Sequence, residues 1–218
     1  MSEQYDEHEQ SERVKQWLAK NGSNLLTGIL LAVSVVFGWQ WWQNHQLKKT
    51  QEAGNQYQTF IDAIEKPDPA KAVVLGEAMA KNYAETDYAF LASIRLAKFQ
   101  QEQGQPEAAL TALNKASSIA LTDQNRELAK IRTAQMLISQ GKIADATKMT
   151  STMTAKYYPG SLAEMRGDLA LLAGNRSKAV TFYNEALMKL DQGAGSRALI
   201  ELKLADAGGI PGKAQEIR

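Results

Sequence analysis

No formally charged residue occurs between Lys20 and Lys48, and inside that interval residues 25–42 read LLTGILLAVSVVFGWQWW. As a helix rising 1.5 Å per residue, this run is about 27 Å long, close to the roughly 30 Å hydrocarbon core of a bilayer. Its Leu, Ile, Val and Phe side chains contribute roughly −3 to −5 kcal/mol toward insertion, more than Thr27, Ser34 and Gln40 cost. A buried helix of a soluble core would be as apolar. It would not gather Trp39, Trp41 and Trp42 at one end, the pattern of an aromatic belt at a membrane interface. A cleaved signal peptide fits poorly: the run is long for an h-region, the residues before it are net acidic, and GWQWWQNHQ offers no small-x-small cleavage site. Residues 25–42 are therefore expected to be an uncleaved anchor in a lipid bilayer.

Orientation follows from the basic residues beside the span. Arg13, Lys15 and Lys20 precede it and only Lys48 and Lys49 follow closely. This small excess places residues 1–24 in the cytoplasm as a short tail and everything from residue 43 outside it. Within the span, Gly28 with Ala32 and Ser34 with Gly38 form small-xxx-small pairs that would let another transmembrane helix approach closely.

The rest of the chain excludes several chemistries. Lys plus Arg number 25 against 24 Asp plus Glu, a net charge of +1, so nucleic acid is not an expected partner. There is no Cys, hence no thiolate nucleophile and no zinc–thiolate site. His8 and His45 fall on opposite sides of the anchor, and no GxSxG, GxxxxGK[ST] or HExxH motif occurs. Glu164 and Asp168 lie one helical turn apart, a spacing far commoner on a charged helix face than in a catalytic pair. The expectation is a non-enzymatic protein without metal or cofactor.

Beyond the anchor the pattern repeats. Gly104, Gly141 and Gly174 each end one apolar-periodic stretch and precede another, at spacings that bracket a 34-residue helix–turn–helix period. Aligned on these glycines, Ala109, Ala146 and Ala179 follow at one position and Leu113, Thr150 and Tyr183 at the next. Ala116, Met153 and Ala186 come after them, while Ala97, Ala134 and Gly167 lie upstream. Small residues let the two helices of a hairpin meet, and larger ones fill the groove against the next hairpin. These residues resemble tetratricopeptide repeats, with departures: Ala163 and Arg166 replace the usual large apolar residues, and no unit closes with Pro.

The fold class is accordingly all-α: one transmembrane helix followed by a tetratricopeptide-repeat-like solenoid over 43–207 and a flexible tail over 208–218. Helices are expected near 46–65, 70–83, 87–103, 106–120, 124–140, 143–156, 160–173, 176–190 and 196–206, with Pro67 and Pro69 breaking the first pair. Tyr57, Phe60, Ile61 and Ile64 form an apolar stripe that should pack on the solenoid.

Such a solenoid presents a concave surface suited to a protein segment. By the repeat register that surface should include Leu91, Ile94, Lys98, Leu128, Ile131, Gln135, Ile138, Glu164, Asp168 and Leu171. Ile94, Ile131 and Ile138 would instead be core if the register were off by one. Repeat proteins that clamp a terminal carboxylate use Lys and Asn where Ile94, Lys98, Ile131 and Gln135 stand, so an apolar segment or folded partner is the expected occupant.

The order of parts, with VKQWLAKNG before the anchor, GWQWWQNHQ at its end and SRALIELKLADAG near the C-terminus, resembles the ancillary SecYEG translocon subunit family, the YfgM-type bacterial inner-membrane proteins. The resemblance implies a cytoplasmic N-terminus and a periplasmic repeat domain. It also implies association with the SecYEG translocon and with a membrane-anchored periplasmic chaperone of the PpiD type, in the service of exported polypeptides. A cell-envelope assembly scaffold unrelated to secretion is the competing reading.

Overall fold

The computed structural model describes the backbone of residues 3–66, 68–190 and 195–211, and side chains from Ser11 onward within those ranges. Pro67 and residues 212–218 of the expected tail lie outside the described residues. Among the described residues all regular structure is helical: α1 Glu3–Glu65, α2 Pro69–Asn82, α3 Asp87–Glu102, α4 Pro106–Ile119, α5 Asp123–Ser139, α6 Ile143–Thr152, α7 Pro159–Leu172, α8 Arg176–Lys189 and α9 Arg197–Asp206. Two compact units result, Met1–Gln51 and Glu52–Arg218.

In the first unit the backbone differs from expectation. A tail, an anchor and a separate helix from 46 were expected, and one helix runs through all three. Its glycines are isolated and no Pro occurs before residue 67 to break the backbone ladder. The hydroxyls of Thr27 and Ser34 donate to the Ser23 and Leu30 carbonyls at 2.9 and 2.8 Å, so neither needs water inside an apolar medium. The apolar side chains are turned outward: Leu31 is 64% exposed and Val35 71%. A core helix of a soluble domain would bury them. This helix is long and apolar enough to cross a membrane.

In the second unit, helices pair into hairpins. Residues 52–65 of α1 lie against α2, with Phe60 fully buried and Tyr57, Ile61 and Ile64 packed on the same core as Met79 and Leu96. Then α3 pairs with α4, α5 with α6 and α7 with α8, and α9 closes against α7 and α8. The turn inside three of these hairpins is the same. Gly104, Gly141 and Gly174 have φ of 70°, 71° and 76°, and the residue after each donates its N–H back to a carbonyl of the closing helix: Gln105 to Gln100, Lys142 to Leu137 and Asn175 to Ala170, at 2.8 to 2.9 Å. This left-handed cap satisfies the terminal carbonyls, and a Cβ would strain it. Gly208 (φ 94°) and Gly209 end α9 in the same manner, so the ordered chain runs past the expected boundary at 208.

The repeat alignment fits the packing throughout. Every residue it placed inward is buried, from Ala97, Ala134 and Gly167 to Ala116, Met153 and Ala186. Gly167 is small for a reason: a Cβ there would lie 2.5 Å from Cε1 of Tyr183, whose ring is fully buried. The departure at Arg166 also has a role. Its guanidinium donates to the carbonyls of Thr150 (2.7 Å) and Met153 (2.9 Å), closing the end of α6 where Gly or Pro is missing.

A second cap crosses further. Glu127, only 9% exposed on α5, accepts hydrogen bonds from the backbone N–H groups of Lys156, Tyr157 and Tyr158 at 2.6 to 3.2 Å. The carboxylate thus serves the unpaired donors ahead of α7, whose N-cap residue is Tyr158.

Candidate protein-binding site

The first helix of each hairpin faces the first helix of the next, and the seams between them hold most of the residues expected on a concave surface. Chemistry differs from seam to seam. Between α1 and α3, the rings of Tyr57 and Tyr88 meet at 5.7 Å. From α5 to α7, Ile131 is 3% exposed and shares a core with Leu162 and Met165, while Ile138 packs half-buried beside them. Ile131 is therefore core.

At α7 and α9 the seam is ionic. Lys203 Nζ donates to Glu164 Oε1 at 2.7 Å and to Asp168 Oδ2 at 2.8 Å, and Tyr183 Oη donates to the other Asp168 oxygen at 2.8 Å. Leu171 packs against the same cluster as Ile200 and Leu204. Glu164, Asp168 and Leu171 thus face α9 rather than a free groove, because α9 takes the place a next repeat would occupy. Burial raises the Tyr183 hydroxyl, and the Asp168 bond raises it further. For Lys203 burial lowers the pKa, but the bonds to Asp168 and Glu164 outweigh it and hold the ammonium above its ordinary range. A raised lysine stabilises the fold fully below the unfolded value, near 10.4, and that stability is lost as pH rises through the folded value. Lys203→Met leaves two carboxylates without their cation and is expected to cost about 2 kcal/mol at pH 7. The deficit should narrow as denaturant titrations are repeated above about pH 10.5; a deficit independent of pH would show that the ion pairs do not carry it.

One seam is open. Between α3 and α5 lies a groove of about 630 Å³, whose walls are Arg95, Lys98 and Gln101 on one side and Arg132, Gln135 and Ser139 on the other. Ile94, Leu113 and Met136 contribute its apolar lining. Of the expected surface, the structure therefore brings together Ile94, Lys98 and Gln135. Leu91 is 43% exposed on the same helix, and Leu128 is half-buried against Phe90 and Ala116. Arg95 and Arg132 were not expected; they follow Ile94 and Ile131 by one residue, and only the gap between the helices gives them a common space. The Arg132 guanidinium donates to Gln135 Oε1 at 3.1 Å, and Lys98 lies 3.7 Å from Glu102. At one end Asn125 Nδ2 donates to Asp87 Oδ1 at 3.2 Å, tying α5 to α3. Among the described residues no group of three or more His, Cys, Asp or Glu is placed to hold a metal.

On the anchor, Gly28 and Gly38 have open space where a Cβ would stand. At 100° per residue the Gly28–Ala32 pair and the Ser34–Gly38 pair lie roughly 120° apart around the helix, so they form two faces and not one. Trp39 and Trp42 lie ring to ring at 5.4 Å and Trp41 stacks on His45 at 5.7 Å. A further exposed aromatic, Trp17, is accompanied by Val14 and Leu18 on one side of α1. It stands about 33 Å along the axis from Trp39, near the separation of the two faces of a hydrocarbon core.

Comparison with known proteins places this architecture. Residues 15–209 match the model of the tetratricopeptide repeat-like domain. The chain belongs to that family. Among curated proteins it is similar to the ancillary SecYEG translocon subunit of Escherichia coli, with 26% identity over 91% of this chain and 95% of that protein. The protein of the same name from Haemophilus influenzae is 24% identical over 85% of this chain and 91% of its own length. The one from Aggregatibacter actinomycetemcomitans is 25% identical over 91% and 96%. Solved structures share the fold at 16% identity. They include a tetratricopeptide repeat protein from Parabacteroides merdae (TM-score 0.55, covering 72% of this chain and 60% of that one) and a set of TPR-like repeats from Podosopora anserina (TM-score 0.51, 72% and 86%). The fold is thus one N-terminal transmembrane helix followed by a tetratricopeptide-repeat-like solenoid.

Proposed function

We propose that this chain is a non-enzymatic ancillary subunit of the Sec translocon. Its anchor lies in the bacterial inner membrane with the N-terminus in the cytoplasm, and its repeat domain binds protein segments in the periplasm. There it assists exported polypeptides together with a membrane-anchored chaperone of the PpiD type. The observation that carries this reading is that the similarity to ancillary SecYEG translocon subunits runs through anchor and repeats alike, over 85 to 91% of the chain. Tethering supplies the mechanism: confinement to the membrane raises the effective concentration of weak contacts, so no single one has to be tight.

Photocrosslinkers at Leu91 and Gln135 in the domain and at Gly28 in the anchor test it. Irradiation of intact membranes is expected to give channel products from Gly28, and chaperone or exported-chain products from Leu91 and Gln135. Failure to recover any of these overturns the reading. Recovery of division or outer-membrane assembly proteins in their place would favour an envelope scaffold.

A further inference from the structure

We infer that the groove between α3 and α5 recognises an acidic, extended protein segment, with an apolar side chain of that segment seated against the half-buried Ile94. The inference deepens the protein-binding reading above and rests on it. The solenoid has four equivalent seams. Three are closed by the chain itself, through an aromatic pair, an aliphatic core and a lysine between two carboxylates. The fourth is closed only at one end, by Asn125 against Asp87 and Leu128 against Phe90, and beyond that end its walls carry Arg95, Lys98 and Arg132 without a carboxylate among the lining residues.

Three cations facing one space repel each other and cannot close the seam by themselves. Glu102 stands 3.7 Å from Lys98, in a side-chain pair more than half exposed, which water screens. Carboxylates delivered by a ligand would bring the missing charge into the groove, where two guanidinium groups can each hold a carboxylate in a two-pronged bond. Gln101, Gln135 and Ser139 alternate with the cations and offer hydrogen bonds to the backbone of an extended segment. The apolar lining limits the ligand in the other direction, since a purely acidic chain would leave the half-buried Ile94 facing water. This differs from the apolar segment expected from the sequence. The difference arises from Arg95 and Arg132, which the repeat register did not assign to the surface.

Fluorescein-labelled peptides bound to the full-length chain in neutral detergent provide the test. One peptide carries four Glu around a single Leu, and its counterparts replace Glu by Gln or by Lys. At low salt the Glu peptide is expected to bind about tenfold or more tighter than either counterpart, and to weaken as salt is raised. The double variant Lys98→Gln with Arg132→Gln should lose about tenfold of that affinity. Lys71→Gln with Lys178→Gln, which removes the same charge elsewhere, should lose none. Equal binding of the Glu and Lys peptides, or no loss in the double variant when its thermal melt matches the native chain, overturns the inference. Groove binding with no translocon crosslink would remove the translocon assignment and leave this site standing. Translocon crosslinks without acidic selectivity would do the reverse.

Discussion

A chain carrying Leu31→Arg together with Val35→Arg is expected to leave the membrane fraction, appearing in the supernatant after alkaline carbonate extraction while the native chain stays in the pellet. Both residues lie near the middle of the uncharged stretch, and both point outward, at 64% and 71% exposure. Each arginine at the centre of a spanning helix costs roughly 2.5–3.5 kcal/mol, and each replacement also forfeits about 0.3–0.6 kcal/mol of favourable transfer. The combined loss of about 6–8 kcal/mol exceeds the roughly 3–5 kcal/mol that the Leu, Ile, Val and Phe side chains supply. Val74→Arg, at an equally exposed apolar position of α2, should leave fractionation unchanged. Retention of the double variant in the pellet would mean that something other than lipid solvates this helix.

Adding one methyl group at Gly167 should strongly destabilise the repeat domain. In Gly167→Ala the new Cβ would sit 2.5 and 2.6 Å from Cε1 and Cδ1 of Tyr183, inside any tolerable contact. Nor can the ring swing away, since it is fully buried and its hydroxyl is tied to Asp168 at 2.8 Å. Overpacking of this kind costs about 1–3 kcal/mol and sometimes more. A loss near 3 kcal/mol corresponds to a fall of about 6–12 °C in Tm for a domain of this size. A smaller ring-position residue should relieve the clash, so Gly167→Ala with Tyr183→Leu is expected to cost less than the two single changes added together. Strict additivity in chemical unfolding would refute the proposed contact.

What could be read from the sequence was local or periodic. Gly104, Gly141 and Gly174 marked turns because a left-handed cap demands glycine, and the small residues at fixed offsets marked helix contacts because larger ones would not fit. Boundaries of α2 to α9 followed closely from those signals, the end of α6 excepted, where the helix stops at Thr152 and not near 156. There Arg166 and Glu127 satisfy backbone groups from 13 to 31 residues away, an arrangement with no periodic signature. Lys203 meeting Glu164 and Asp168 across 39 and 35 residues was hidden for the same reason. The repeat register located Ile94, Lys98 and Gln135, yet it could not say which seam would stay open. That depends on whether facing side chains attract or repel once they share a space. Trp17 was visible in VKQWLAKNG but lay outside the apolar window that drew attention to the other tryptophans.

Because the link from first to second helix in the hairpins α3–α4, α5–α6 and α7–α8 is a fixed cap closed on a positive-φ glycine, it has no slack. The link 120–122 between two hairpins ends instead on the Thr122 hydroxyl, which accepts from the Asn125 N–H, and holds no positive-φ glycine, whereas 153–158 is pinned by Glu127 and Arg166. Growth or shrinkage of this lineage therefore has an address: residues can be gained or lost at 120–122, while a single insertion at Gly104, Gly141 or Gly174 would rotate everything downstream out of phase.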